Sequence, residues 1–306
     1  MMETFPLVVA TILTAATPLL IAALGEYVVE RAGVLNLGVE GMMIVGAATG
    51  FAAAVLTDSS LLGLMFGALA GLVLASLFGV LVIVFATNQV ATGLALTILG
   101  LGLAGLIGQG FVGQPRAALP PVEIPLLKDI PVLGKALFTG DIVFYLSLGL
   151  TALVSYVLIR SRAGLLLRAV GENHTSAHAL GLPVRRLRFY AILFGGLMAG
   201  LAGAYLSLIY TRFWSPGMSA GRGWIALALV VFAAGHVWRL VLGSYLFGAI
   251  TVAQLHAQAG AIALPSQLLS ALPYLMTIAA LLFLSLSGRK GAGAAGSLGQ
   301  PFVPER

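Results

Sequence analysis

The residues best suited to polar chemistry lie at 25–41, GEYVVERAGVLNLGVEG, inside otherwise apolar sequence. The segment holds three glutamates, an arginine and an asparagine together with four glycines. Charged and amide groups in an apolar medium are costly unless they have partners. The segment therefore predicts either a path for a polar solute or a set of internal hydrogen bonds. Its glycines favour a break or tight turn over one continuous helix.

Asn36 and Glu40 are the two candidates from this segment for contact with a solute. The structural alternative is that Glu40 pairs with Arg31, or with free backbone amides at a helix start, where negative charge is favourable.

A second polar cluster contains Asn88, Gln89 and Thr92. These residues could line the same path, but their position at a helix start is also explained by N-capping. Gln254 is a further candidate, an isolated amide for which interhelical hydrogen bonding is the commoner role.

Several other chemistries have no support in the sequence. It contains no GxxxxGK[ST] phosphate-binding loop, no HExxH motif and no cysteine. His174 and His178 are one helical turn apart, but no third ligand type accompanies them in their loop, so a solvated helix face is predicted instead of a metal site. Neither enzymatic catalysis nor a cofactor is expected.

Composition identifies a membrane protein. Of 306 residues, 60% are hydrophobic and 8% charged, and the mean hydropathy is +1.06, whereas a soluble domain is about a quarter charged. Apolar runs of about 20 residues, the length of one crossing, predict an all-α polytopic fold with about nine membrane helices, within a range of eight to ten. The run at 224–235 is too short for a straight crossing and predicts a broken or re-entrant helix.

An arginine-rich segment at 160–188 orients the chain. It holds six of the sixteen Lys and Arg residues, and short loops rich in these residues are retained in the cytoplasm. With this loop inside, 11 Lys and Arg lie on the cytoplasmic side and 5 outside. The N-terminus is therefore expected outside and the C-terminus inside. The same retention explains the net charge of +6, so nucleic-acid binding is not indicated.

The predicted organisation is a transmembrane domain over 1–287 and a tail at 288–306. Five prolines exclude a spanning helix from 113–140, which is predicted to be an external loop. The tail is rich in glycine and alanine and is predicted to be disordered in the cytoplasm. Small residues at every fourth position along 63–79 predict close helix packing within the chain.

Five stretches of the chain carry a family resemblance: AGVLNLGVEGMMIVGA at 32–47, NQVATGLALTILGLGL at 88–103, RAVGENHTSAHALG at 168–181, GRGWIALALVVFAAG at 221–235 and PSQLLSALPYLMTIAALLF at 265–283. They resemble the permease subunits of bacterial ABC importers, in the branched-chain amino acid and ribose-type superfamily. The chain is most similar to the branch that serves nucleosides through basic-membrane-lipoprotein binding proteins. It departs from the family at 174–176, where proline and an alanine-rich run are common.

The resemblance implies a multi-pass transport subunit of the bacterial cytoplasmic (inner) membrane, with no ATPase site of its own. Its implied partners are an ABC ATPase, a second homologous permease in a heterodimer, and a substrate-binding lipoprotein or periplasmic protein. Alternating access would move a nucleoside along a path lined by Asn36, Glu40, Asn88, Gln89, Thr92 and Gln254. A coupling helix at about 173–180 would dock on the ATPase through a segment that includes Gly171, Glu172, Asn173, His174, Ala177 and Gly181.

Alternatives remain for both cargo and class. The cargo could be a simple sugar, as in the ribose-type permeases, or a branched-chain amino acid. An ion-coupled secondary transporter would favour ionisable residues deep in its spans, whereas every acidic residue after Glu40 falls in a predicted loop or tail. A structural membrane protein would leave the two polar clusters unexplained.

Overall fold

The computed structural model describes residues 4–117, 119–122, 137–259, 267, 269, 271–286 and 295–303. In the first half the long helices are α1 Thr4–Arg31, α2 Val39–Thr57, α3 Ser60–Gly79, α4 Gln89–Gly108 and α5 Ile142–Arg160. They are followed by α6 Arg162–Glu172, α7 His174–Ala179, α8 Val184–Tyr205, α9 Arg222–Ala233, α10 Val237–Ala259 and α11 Leu272–Leu286. Short π or 3-10 turns extend α3 through Val84, α4 through Phe111 and α8 through Tyr210.

Within the described residues, seven helices are long and apolar enough to cross a membrane: α1, α2, α3, α4, α5, α8 and α10. Two further helices of the described part of the chain are shorter, α9 with 12 residues and α11 with 15. The predicted all-α polytopic membrane fold is confirmed. The run at 224–235 forms α9, which is too short for a straight crossing, as predicted.

The centre of the molecule is built from α2, α3 and α8, which approach one another through glycines. A Cβ atom added at Gly200 would overlap backbone atoms of Gly67 and Gly71 on α3, and one added at Gly46 would overlap Gly200. Such close approach lets helix backbones gain dispersion contact where lipid supplies no hydrophobic drive. The predicted packing role of the small residues along 63–79 is confirmed.

The break between the first two spans lies at 32–38, inside the glycine-containing segment 25–41 where the sequence predicts one. The helix α1 continues through Arg31 and includes Glu26 and Glu30. Gly25 lies inside α1 and not at a turn. A Cβ at this position would overlap Met198 on α8. Glycine at position 25 therefore allows α1 and α8 to approach closely and does not reverse the chain.

The arginine-rich loop contains two helices, α6 and α7, where the sequence predicted one short helix between Gly171 and Gly181. Gly171 lies inside α6 and not at a turn, because its missing Cβ makes room for the Arg31 carbonyl oxygen. Gly181 does form a turn, with φ +81°. The Gly181 and Leu182 amides donate to the carbonyls of His178 and Ala177, which is a Schellman motif closing α7.

Two predicted loop regions have different outcomes. Residues 118 and 123–136 of the predicted external loop lie outside the described residues, but Arg116 in its first part contacts Asp58 at 3.4 Å. The prediction of a disordered tail is wrong for residues 295–303, which are packed against α6, α7 and α8 with Ser297 and Phe302 buried. The glycine-rich and alanine-rich composition did not indicate this packing, because the contacts are made by backbone groups and by the side chains of Ser297 and Phe302.

We expect Gly203→Val to prevent folding, because a Cβ at Gly203 would overlap the Met43 carbonyl oxygen across the α2–α8 contact. Overpacking typically costs about 1–3 kcal/mol, and more where backbone blocks relaxation. The matched control is Gly102→Val on α4, where no atom lies within 4 Å of the added Cβ. Size-exclusion chromatography and thermal unfolding in detergent measure both variants. Wild-type behaviour of Gly203→Val would contradict the packing described.

Candidate functional site

Glu40, in the first turn of α2, joins that helix to the start of α9. Its side chain is 3% exposed. Its carboxylate accepts hydrogen bonds from the Ser219 hydroxyl at 2.6 Å, the Gly221 amide at 2.9 Å and the Gly223 amide at 2.7 Å. The charge therefore lies at the N-terminus of α9, where the helix dipole and free amides stabilise an anion. Of the two structural alternatives, binding to backbone amides is confirmed.

Arg31 does not pair with Glu40, because it lies at the other end of α9. Its guanidinium donates to the carbonyl of Gly235 at 2.6 Å, which also accepts from the Tyr27 hydroxyl at 2.6 Å. The end of α1 is thereby fixed to the turn after α9. Twelve residues of helix span about 18 Å, so Glu40 and Arg31 bind opposite ends of α9, about that far apart.

Asn36 and Gln89, two predicted path residues, support the connection at 32–38 from inside. The Asn36 amide donates to Glu26 at 2.8 Å, and its carbonyl accepts from the Gly38 amide. Gln89 accepts from the Leu35 amide at 2.8 Å. Both side chains are buried, and their hydrogen bonds to backbone amides fix the conformation of the connection.

The other three predicted path residues lie at its margin or elsewhere. Asn88 is exposed and caps α4 by accepting from the Ala91 amide, as the N-capping alternative proposed. The hydroxyls of Thr92 and Thr87 lie 2.9 Å apart. Gln254 is half-buried on α10, a helix that packs against α1, α9 and α11.

Two aromatic residues beside the Glu40 site escaped the sequence analysis. Trp224 is 44% exposed, and its indole nitrogen donates to the Leu37 carbonyl at 3.4 Å. Tyr274 on α11 is 43% exposed, and its hydroxyl donates to the Ala220 carbonyl. The only signal in the sequence was the position of Trp224, which follows Gly221 by three residues at the start of a helix too short to cross.

The α7 helix presents one face to solvent and one to the protein. Asn173 caps it by accepting from the Ser176 amide at 2.9 Å. Thr175, Ser176 and Ala179 are exposed, whereas Ala177 is 3% exposed and packs in a cluster with Val170, Val184 and Phe302. Ala177 was expected to contact a partner, but it faces inward; the exposed residues form the outer face.

Arg188 at the start of α8 is the second group that sequence reasoning missed. It is fully buried, and its guanidinium donates to the carbonyls of Ala32 at 3.1 Å and Gln300 at 3.0 Å. A third nitrogen lies 3.1 Å from Nδ1 of His174. These contacts place Arg188 between the α1–α2 connection, the C-terminal segment at 295–303 and α7.

His174 lies in contact with both Arg188 and Phe302. Burial, and then the positive charge of Arg188, lower the pKa of His174 below its ordinary value. A neutral imidazole can accept a hydrogen bond from Arg188 through Nδ1. Within the described residues no group of three His, Asp or Glu could hold a metal, and both His174 and His178 instead contact the Phe302 ring edge to face.

Apolar helices too short to cross a membrane, with an N-terminus that faces a polar group, are typical of membrane transport proteins. The family model for branched-chain amino acid transport system permease components matches residues 8–281, so the chain belongs to that family. It is an ABC transporter permease, a membrane transport component and not an enzyme, and the family implies ATPase and binding-protein partners.

Three relatives cover nearly the whole chain. A putative glucose ABC transporter permease protein, TsgC13 of Haloferax volcanii, is 42% identical over 87% of this chain and 88% of its own length. The nucleoside ABC transporter permease protein NupC of Lactococcus lactis is 33% identical, and the guanosine ABC transporter permease protein NupQ of Bacillus subtilis is 31% identical. Each of these two alignments covers 90% of this chain and 91% of the relative.

Glu40→Ala should lower the native stability by roughly 2–4 kcal/mol, because three donors, two of them buried, lose a charged acceptor. Glu40→Gln retains one acceptor oxygen and should fall between that variant and the wild type. Glu172→Ala, at an exposed glutamate, is the control. Thermal unfolding in detergent measures the series, and an unchanged unfolding temperature for Glu40→Ala would contradict the role given to this carboxylate.

Proposed function

We propose that the chain imports nucleosides, as the permease subunit of an ATP-driven importer. The observation that carries this proposal is the 33% and 31% identity to a nucleoside and a guanosine permease over nine-tenths of the chain. The resemblance of the segments at 32–47 and 168–181 to the nucleoside branch supports the same cargo.

The cargo path passes the junction of α2 and α9 in this proposal. Trp224 and Tyr274 expose part of their rings there, and aromatic faces stack on the flat bases of nucleosides. Glu40 has its charge satisfied by three donors, which suits a neutral cargo better than a cation. Asn36, Glu40 and Gln89 act as supports of the path wall, and Trp224 and Tyr274 contact the cargo.

A simple sugar is the second candidate. The 42% identity to a putative glucose permease favours it. Sugars also pack their apolar faces against aromatic rings, so the same two residues serve either cargo. The two cargoes are distinguished by transport and competition experiments, because the same helices and aromatic residues serve both.

The mechanism is alternating access driven from the cytoplasm. ATP binding and hydrolysis on a separate ATPase bias two arrangements of the membrane helices, and the outer face of α7 is the contact with that ATPase. A second permease completes the membrane unit, with heterodimer formation as the proposal. A binding protein delivers cargo from outside.

The orientation proposed for the chain is N-terminus outside and C-terminus inside. Charge retention places α6 and α7 in the cytoplasm. The contacts of residues 295–303 with α6 and α7 support the same side for the C-terminal segment. Residues 113–117 and 119–122 then belong to the external face.

Unlabelled nucleosides should inhibit the uptake of labelled adenosine by the assembled importer, whereas leucine and ribose should not. Labelled adenosine in proteoliposomes containing ATP, the ATPase, both permeases and the binding protein is the assay. Trp224→Ala should weaken uptake, since loss of one stacking contact costs about 0.5–1.5 kcal/mol. Trp238→Ala, 59% exposed at the start of α10, is the matched control.

The outcomes separate the candidates. Uptake of labelled glucose without uptake of labelled adenosine by the same proteoliposomes would replace the nucleoside by the sugar. Uptake of labelled leucine alone would overturn both. Equal effects of Trp224→Ala and Trp238→Ala would remove Trp224 from the path.

Ala179→Trp should reduce ATP-driven uptake while leaving the isolated permease as stable as the wild type. Ala179 is exposed on α7, so added bulk obstructs a docked partner and not the fold, at about 1–3 kcal/mol for an overpacked contact. Ala163→Trp, at an exposed alanine of α6, is the control. Normal uptake and normal co-purification of the ATPase with Ala179→Trp would exclude the outer face of α7 as the contact.

A further inference from the structure

The C-terminal segment, residues 295–303, lies across the junction of α6 and α7. The amide of Ser297 donates to the Gly171 carbonyl at 2.9 Å, and its hydroxyl donates to the Glu172 carbonyl at 3.3 Å. The same hydroxyl accepts from the His174 amide at 3.2 Å. One serine therefore contacts the last turn of α6 and the first residue of α7.

Phe302 packs against the inward face of α7. Its ring contacts both His174 and His178, with centroid distances of 5.3 Å each. Phe302 is buried in one cluster with Val170, Ala177 and Val184. Aromatic contacts of this kind contribute to fixing a helix face, so Phe302 helps to hold that face of α7 against α6 and α8.

The segment also reaches the membrane domain through Gln300. The Gln300 carbonyl accepts from Arg188 at 3.0 Å and from the Gln89 amide at 3.4 Å. Gln89 in turn binds the Leu35 amide, and Arg188 binds the Ala32 carbonyl. Both routes end on the α1–α2 connection, which leads directly into Glu40.

We propose that the C-terminal segment, with Arg188, positions α7 and transmits its displacement to the α1–α2 connection. Arg188, Ser297 and Phe302 are positioning residues in this arrangement. The inference rests on the proposed function, in which α7 contacts the ATPase.

The physical need for such a support follows from the size of α7. A helix of six residues is not stable alone, because nucleation is unfavourable and few intrahelical bonds repay it. Its position therefore depends on tertiary contacts. Those contacts come from Arg188, from the apolar cluster and from the C-terminal segment, and the first two also touch that segment.

The test compares Phe302→Ala and a chain ending at Ala294 with two controls. Val303→Ala changes an exposed side chain, 66% accessible. Gln300→Ala removes an exposed side chain whose residue contributes its backbone carbonyl to the contacts. Phe302→Tyr should restore the packing if the alanine variant is disturbed.

Two measurements are made, one on the permease alone and one on the full importer. Hydrogen exchange of amides in 174–180 should rise roughly tenfold or more in Phe302→Ala, because loss of a buried aromatic side chain is worth at least that factor. In proteoliposomes, the number of substrate molecules moved per ATP hydrolysed should fall in Phe302→Ala and in the shortened chain. Both controls and Phe302→Tyr should keep the wild-type values.

The outcomes distinguish this inference from the proposed function. Unchanged exchange and an unchanged transport ratio in both Phe302→Ala and the shortened chain would overturn the positioning role, whatever Ala179→Trp does. Increased exchange with an unchanged ratio would limit the segment to local stability and also overturn transmission. If Ala179→Trp leaves coupling intact, the contact assigned to α7 fails by itself.

Discussion

The carboxylate of Glu40 sets the constraint from which the membrane part of the structure follows. A carboxylate buried among apolar helices needs several donors, and three are supplied by Ser219, Gly221 and Gly223. Gly221 has φ +77°, and a Cβ at Gly223 would overlap Glu40 itself. Two of these positions therefore require glycine, one for its backbone conformation and the other for space. The helix that begins there has 12 residues and ends at a turn bound by Arg31, so it is too short to cross a membrane of about 30 Å.

Close packing of glycines supplies the rigid frame around this junction. The spans of α2 and α8 are 78% buried, whereas those of α4 and α5 are 28% buried. Backbone contacts between α2, α3 and α8 leave little room for these helices to slide, since packed interiors resist small displacements. Relative movement is easier at the connection at 32–38 and at the ends of α4 and α9, where hydrogen bonds, and not interlocked backbones, make the contacts.

Local sequence signals predicted most of the helical architecture but little of the hydrogen-bond network between polar groups. Span length, the small-residue pattern along 63–79 and the cap at Asn88 follow from local chemistry and are found in the structure. Glycine is ambiguous, because the same residue permits a turn, as at Gly181, or a close approach, as at Gly171. The partners of Arg188 lie more than a hundred residues away in two of its contacts. No periodicity in the sequence predicts such pairs, so the C-terminal segment could be identified only from the fold.

The positions of the polar groups suggest how a displacement of α7 in the proposed mechanism reaches the Glu40 site. Ala32 and Leu35 are bound by Arg188 and Gln89, and four to eight residues later the chain reaches Val39 and Glu40 at the start of α2. The connection has no regular helix of its own, but Gln89 and Asn36 hold it through hydrogen bonds to its backbone amides. In the proposed mechanism a shift at its Ala32 end is therefore passed along a short, supported chain segment. At the far end, Glu40 is attached to α9 and not to lipid. A small displacement of the connection therefore moves the two helix N-termini together, and with them the exposed rings of Trp224 and Tyr274, which lie beside that joint.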